Sequence, residues 1–276
     1  MAYPVVSAPY GLKPINLIGG QVFAGSTREY AIANGYATNI FYGDCVALVR
    51  GNLERISVST GTLGTVAGIF LGCSYTNPTT RQKTFAQYWP GGTAAGDAVA
   101  IVCDDPDTVF KAVVCSSGTT VASGARAMIG QNLAMINNTG NTATGDSKNA
   151  ILAPTDTPAT TDSLPLRVLG LVPETVVSLG SATYSSISTA TVTCSALPYA
   201  LPVGTDVGSL DSNGNYIPSG SFVDTAAAAG ATSFILNQAP STAFAASSTL
   251  VFNQYPELLV KLNFGQHEYY AATATA

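Results

Sequence analysis

Residues 67–114 constrain the fold most, because four short segments of strand chemistry follow one another with only turn formers between them. GIFLGCSYT (68–76), KTFAQYW (83–89), DAVAIVC (97–103) and TVFKAVV (108–114) are separated by Asn77-Pro78-Thr79-Thr80, Pro90-Gly91-Gly92 and Asp104-Asp105-Pro106-Asp107. Each separator can reverse the chain without strain. Connections this short predict antiparallel pairing of successive strands. In the first segment Ile69, Leu71, Cys73 and Tyr75 alternate with Phe70, Gly72, Ser74 and Thr76, which puts the first set on one face. The third carries an unbroken apolar run from Ala98 to Val102, predicting a central strand covered on both faces. The expected fold class is mainly β, an antiparallel β-barrel or sandwich core with an extended N-terminal arm and an inserted smaller β domain.

The arm is residues 1–25. A proline recurs every fifth residue at Pro4, Pro9 and Pro14, which excludes helix and central strand alike. The arm also includes Tyr3, Tyr10, Ile15, Leu17, Ile18, Val22 and Phe23, too apolar for a free tail. The arm is expected either to pack on its own domain or to lie along a neighbouring chain. With no basic n-region, the start does not have the form of a signal peptide. Strands are expected at 28–32, 45–49 and 53–58, then at 132–136, 166–172 and 256–264, with a polar hairpin or loop at 137–149 and a proline-marked crossing at 153–164.

Composition changes after Glu174: no Lys or Arg occurs between Arg167 and Lys261, while Ser, Thr, Ala and Gly crowd in. Residues 176–254 are accordingly expected to form an inserted β module, with 26–175 plus 255–276 as the core domain. The module echoes itself. Thr191 to Ser195 lead to Pro198, Leu201 and Val207, and Ser233 to Asn237 lead to Pro240, Ala243 and Thr249 at the same spacing. Two related β units packed face to face are expected.

Charged residues are 10% of the chain, against roughly a quarter in an ordinary soluble domain. With a net charge of −5 and no basic run, the footprint of a nucleic-acid or anionic-membrane binder is missing. No apolar run approaches the roughly 20 residues that span a bilayer. The five cysteines lie far apart without a CxxC pair, and four sit within strand patterns, where Cys behaves as a small hydrophobe. That usage fits a reducing cytoplasm.

Catalytic constellations are absent by pattern. The lone histidine, His267, follows the last strand and is expected to be solvated or at an interface. Asp104, Asp105 and Asp107 fit a strand-joining turn better than a calcium loop, whose spacing and bidentate Glu they lack. No glycine pattern of a phosphate loop occurs, and no cofactor is expected. Trp89 beside Tyr88 could stack on a sugar, but such a pair more often anchors a core or a subunit contact.

Six phrases taken in order, PYGLKPINLIGGQ, ATNIFYGDCVALV, GIFLGCSYTNPTTRQKTFAQYWP, DAVAIVCDDPDTVFKAV, LPLRVLGLVPE and ELLVKLNFGQHEYY, resemble the capsid-associated structural proteins of tailed bacteriophages. The likeness is above all to the cement or decoration proteins of short-tailed phages of marine and freshwater bacteria, and covers most of the chain outside 176–254. It implies a non-enzymatic β-rich protein, made in the bacterial cytoplasm, that sits on the outer surface of the virion. There it would clamp adjacent major capsid subunits as a homotrimer or homodimer. Tyr3, Pro9, Tyr10, Pro14, Ile15, Leu17 and Trp89 are the expected interface residues. The alternative is a host-attachment or carbohydrate-binding structural protein using Tyr184, Tyr199 and Tyr216. A glycan hydrolase has no support, since no carboxylate pair stands out by spacing.

Overall fold

A computed structural model describes residues 6–56, 65–153 and 164–269. Strands make up about 48% of it and helix about 4%, so the fold is mainly β. The strands gather into a six-stranded sheet, an eight-stranded sheet and a closed barrel.

The six-stranded sheet runs Arg28–Ala31, Val99–Cys103, Gly68–Thr76, Cys45–Val49, Asn52–Arg55, with Lys83–Ala86 also paired to Gly68–Thr76. Its hairpin from Cys45 to Arg55 turns on Arg50 and Gly51, both at positive φ (50° and 79°). Two left-handed residues are what a two-residue turn needs to match the strand twist.

The four-strand meander is not a single sheet. Gly68–Thr76 pairs with Lys83–Ala86 on one side and Val99–Cys103 on the other, while Thr108–Ser117 leaves for the eight-stranded sheet. The doubly covered strand is Thr108–Ser117 and not Val99–Cys103. Val99 and Ile101 are half-buried, whereas Val109, Phe110, Ala112, Val113, Val114 and Cys115 are all buried. A strand apolar on both faces gains most at the centre of a covered sheet. The expected faces of Gly68–Thr76 also change. A bulge sets Phe70 opposite Val102 but Gly72 opposite Ile101, with Leu71 as the extra residue. One extra residue reverses every later side chain. Ile69 therefore points into the core between the sheets, and Phe70, Cys73 and Tyr75 share the other face.

The eight-stranded sheet runs Asn132–Leu133, Leu166–Leu171, Glu257–Leu262, Thr108–Ser117, Ala150–Leu152, Met135–Ile136, and Lys13–Leu17 and Thr120–Val121 also pair with Thr108–Ser117. Phe110, Val114, Leu166, Leu258 and Val260 of this sheet meet Cys45, Ile69 and Cys103 of the other, so the two sheets face each other across one core.

The barrel closes in the order Val177–Ser188, Thr191–Cys194, Ser233–Leu236, Tyr216–Thr225, Asp206–Leu210, Thr249–Gln254. Val192, Val207, Phe234, Leu250 and Phe252 fill its interior. The echoing strands are not stacked face to face as expected. Thr191–Cys194 and Ser233–Leu236 are antiparallel neighbours, with Val192 directly opposite Phe234. The buried Asp206 ties barrel to core, accepting from the Arg126 backbone N–H (3.2 Å) and from the Tyr216 hydroxyl (2.7 Å).

Candidate interaction surface

From Pro9 onward the N-terminal arm is fixed to its own chain. Pro9 is buried, and the half-buried Tyr10 donates its hydroxyl to Glu257 Oε1 at 2.6 Å. Burial and that carboxylate together push the Tyr10 phenol well above its ordinary range. Gly11 follows at φ +80°, where an added Cβ would lie 2.8 Å from the Gly43 carbonyl oxygen, so no other residue fits. Lys13–Leu17 then joins the eight-stranded sheet beside Thr108–Ser117, with Pro14 opposite Phe110 and Leu17 opposite Thr108. The chain reverses through Ile18 to Gln21, closed by the Leu17 N–H on the Gln21 carbonyl at 2.8 Å.

The expected interface residues therefore divide. Tyr3 lies outside the described residues. Pro9, Tyr10, Pro14 and Leu17 are occupied, fully or in part, by their own chain, while Ile15 is exposed. Trp89 is a core residue. It is fully buried, donates Nε1–H to the Tyr36 carbonyl at 3.1 Å, and meets Tyr75 edge to face with ring centres 5.4 Å apart. Its backbone also bridges to Ile40.

Past Leu17 the hairpin tip presents Ile18 at 45% and Val22 at 81% exposure. Beside Ile15 lies a groove of about 590 Å³, lined by Leu171, Pro173 and Leu259 together with Lys111, Glu174 and Glu257. The Glu257 side chain is 4% exposed, with Oε2 3.5 Å from the Lys111 ammonium. The other large exposed ring of the core sheets is Phe85, at 77%, on the outer hairpin strand Lys83–Ala86.

Sequence reasoning missed two polar clusters. In the first, Asp104 Oδ2 accepts from Tyr30 (3.0 Å), from the Tyr269 hydroxyl and from Arg28 Nε (3.0 Å), while Asp105 Oδ1 caps the Asp107 N–H (2.9 Å). The aspartates thus split between a turn and a clasp on the C-terminal segment. His267 belongs to this clasp and is fully buried within its own chain, where a solvated or interface position was expected. Residues 266–268 pair with Val66, through Val66 N–H to Gln266 O (2.7 Å) and Glu268 N–H to Val66 O (2.9 Å), which carries the imidazole inward. Burial holds it below its ordinary pKa. In the second cluster the buried Asp44 meets Arg55 and Ser147, and Arg55 Nη2 reaches Asn137 and Asn138.

All five cysteines are buried and free, and burial pushes the Cys103 and Cys115 thiols up to about 11. Among the described residues no three His, Cys, Asp or Glu side chains converge where a metal ion could sit, and no helix is long and apolar enough to cross a membrane. Comparison with protein families, curated proteins and solved structures finds no match to the chain.

Proposed function

We propose that this chain is a capsid cement protein, binding the outer surface of an assembled phage head and bridging its major capsid subunits. The observation that carries the reading is the N-terminal hairpin. Its base is welded into the eight-stranded sheet while Ile15, Ile18 and Val22 face outward beside an apolar groove. An anchored apolar tip loses little conformational freedom on binding. A protein that binds only the assembled lattice adds its binding free energy to that state, so modest contacts repeated by symmetry stabilise a shell.

The glycan-binding alternative gains less from the geometry. Tyr184 packs on Phe244 and Tyr216 is bonded to Asp206, leaving Tyr199, at 62% exposure, as the one open ring of the three.

The test is occupancy of expanded heads by the parent protein and by the Ile18→Asp/Val22→Asp variant. Those side chains reach solvent, so the variant keeps its fold and should lose occupancy. Undiminished occupancy overturns the hairpin's role. Cement also requires copies on the order of hundreds per particle, and a number fitting a single portal or tail ring overturns the reading as a whole.

A further inference from the structure

The outward face of the eight-stranded sheet gathers positive charge in a chain whose net charge is −5. Arg167 stands directly opposite Lys261, and Lys13 directly opposite Lys111. Residues opposite each other share a face. The alternating neighbours Val168, Val260 and Phe110 are fully buried in the core, so all four cations lie on the outward side. They are four of the eleven Lys and Arg residues in the chain. Like charges directly opposite destabilise a sheet, and this face contains two such pairs.

Its own counter-charge is sparse. Glu257 faces Lys111 at 3.5 Å, and among the described residues no ion pair reaches Lys13, Arg167 or Lys261. Lys261 is buried with its ammonium 4.1 Å from the Phe264 ring centre, and burial holds it below its ordinary pKa. Lys13, Lys111 and Arg167 reach solvent. Of these cations Lys111 lines the groove walled by Ile15, Leu171, Pro173 and Leu259, whose acidic lining residues are Glu174 and the buried Glu257.

We propose that this face docks an acidic segment of a protein partner anchored by aliphatic side chains. Its carboxylates meet Lys13, Lys111 and Arg167, and an aliphatic side chain fills the groove. A nucleic acid fits less well. The walls are apolar, Glu174 and Glu257 line the groove, and the 16 Asp and Glu residues of the chain repel a long polyanion. The proposal rests on the cement reading for the identity of the partner, a capsid subunit, and on this face alone for its chemistry.

The probe is a fluorescein-labelled octapeptide of glutamates around two central leucines, titrated with the full chain and followed by anisotropy. Saturable binding is expected, weakening about tenfold between about 50 mM and about 200 mM salt. Lys13→Gln/Arg167→Gln and, separately, Leu259→Glu should each weaken it by about tenfold or more, whereas Lys83→Gln on the other sheet should not. Peptides with Gln for Glu, or Ser for Leu, should bind no better than the variants do, and they decide the matter if a variant fails to fold. Absence of saturable binding, equal binding of the Gln peptide, or tighter binding of a DNA oligonucleotide overturns the proposal. Peptide binding without binding to heads overturns the cement reading alone, and binding to heads without peptide binding overturns this proposal alone.

Discussion

Replacing Arg55 with Met probes how the polar loop from Asn137 to Asn149 is held on the six-stranded sheet. Asp44 is fully buried, and its Oδ2 accepts from Arg55 Nε at 2.7 Å and from the Phe41 N–H at 2.9 Å, while Oδ1 accepts from Ser147 Oγ at 2.6 Å. At 2.7 Å two unit charges attract by about 6 kcal/mol at an effective dielectric constant of about 20. Most of that offsets the cost of taking the carboxylate out of water. Methionine keeps the aliphatic stem but leaves Asp44 with neutral donors alone, the situation in which losses reach about 3–5 kcal/mol. The assay is equilibrium urea unfolding followed by the emission of Trp89, the one tryptophan in the chain. It reports on this network directly, because the Tyr36 carbonyl accepts the Trp89 indole N–H and the Tyr36 hydroxyl accepts the Arg55 backbone N–H at 3.0 Å.

The pH dependence separates a buried charge from simple lost packing. Burial holds the Asp44 carboxyl above the usual range even with Arg55 beside it. Such a group binds its proton more tightly in the folded state, so its contribution favours the fold at acid pH and is lost as pH rises through the folded value. Without Arg55 that folded value climbs further. The deficit of Arg55→Met relative to the parent should be largest near neutral pH and shrink on acidification, and Asp44→Asn/Arg55→Met should recover part of it at neutral pH. A deficit under about 1 kcal/mol, the size of a surface pair, or one that grows as pH falls, refutes the reasoning.

Three further outcomes follow from the same geometry. Trp89→Ala should cost about 3–5 kcal/mol in urea unfolding followed by circular dichroism, since the indole is fully buried and its loss leaves the Tyr36 carbonyl with the Gly92 N–H alone. Arg50→Asn should stabilise by about 0.5–1 kcal/mol in thermal unfolding, because Arg50 holds φ 50° in the hairpin turn and Asn tolerates that region better. His267 has a folded pKa below its unfolded one, so its contribution is intact above about 6.5 and is lost as pH falls from there toward the folded value. His267→Phe should therefore flatten the loss of stability between about pH 7 and about pH 5 measured by urea titration.

What the sequence revealed was local. Strand positions follow from side-chain alternation and flanking turn formers, and Cys45–Val49 and Gly68–Thr76 stand where those signals put them. What it concealed was which strand pairs with which. The Leu71 bulge reverses a face through one extra residue, and only the partner strand reveals it. The turn at Asp104 to Asp107 looks like any strand reversal, yet it carries the chain from one sheet to the other because Thr108–Ser117 needs cover on both faces. The candidate surface was legible as an apolar arm, but its anchoring depends on Tyr10 meeting Glu257 from the far end of the chain. Trp89 was ambiguous between core and contact because both want a large ring, and only its depth decides.

The barrel shows how a signal can be right while its spatial meaning stays hidden. Let Val177–Ser188, Thr191–Cys194 and Asp206–Leu210 exchange with Tyr216–Thr225, Ser233–Leu236 and Thr249–Gln254, and the order of neighbours round the barrel is unchanged. The two long strands carry matching register shifts, each with a glycine at positive φ, Gly180 at 86° and Gly220 at 72°. A left-handed glycine is a usual device for turning a strand at a bulge. Each long strand then pairs over its first part with the third strand of the other unit and over its last part with the next strand of its own. Neither three-strand unit can cover its apolar face or satisfy its edges alone, because four of the six pairings round the ring join one unit to the other. Closure leaves none of the six strands with an unpaired edge, and because each unit lends its third strand to the other, the two echoes are held together by the ring they jointly close.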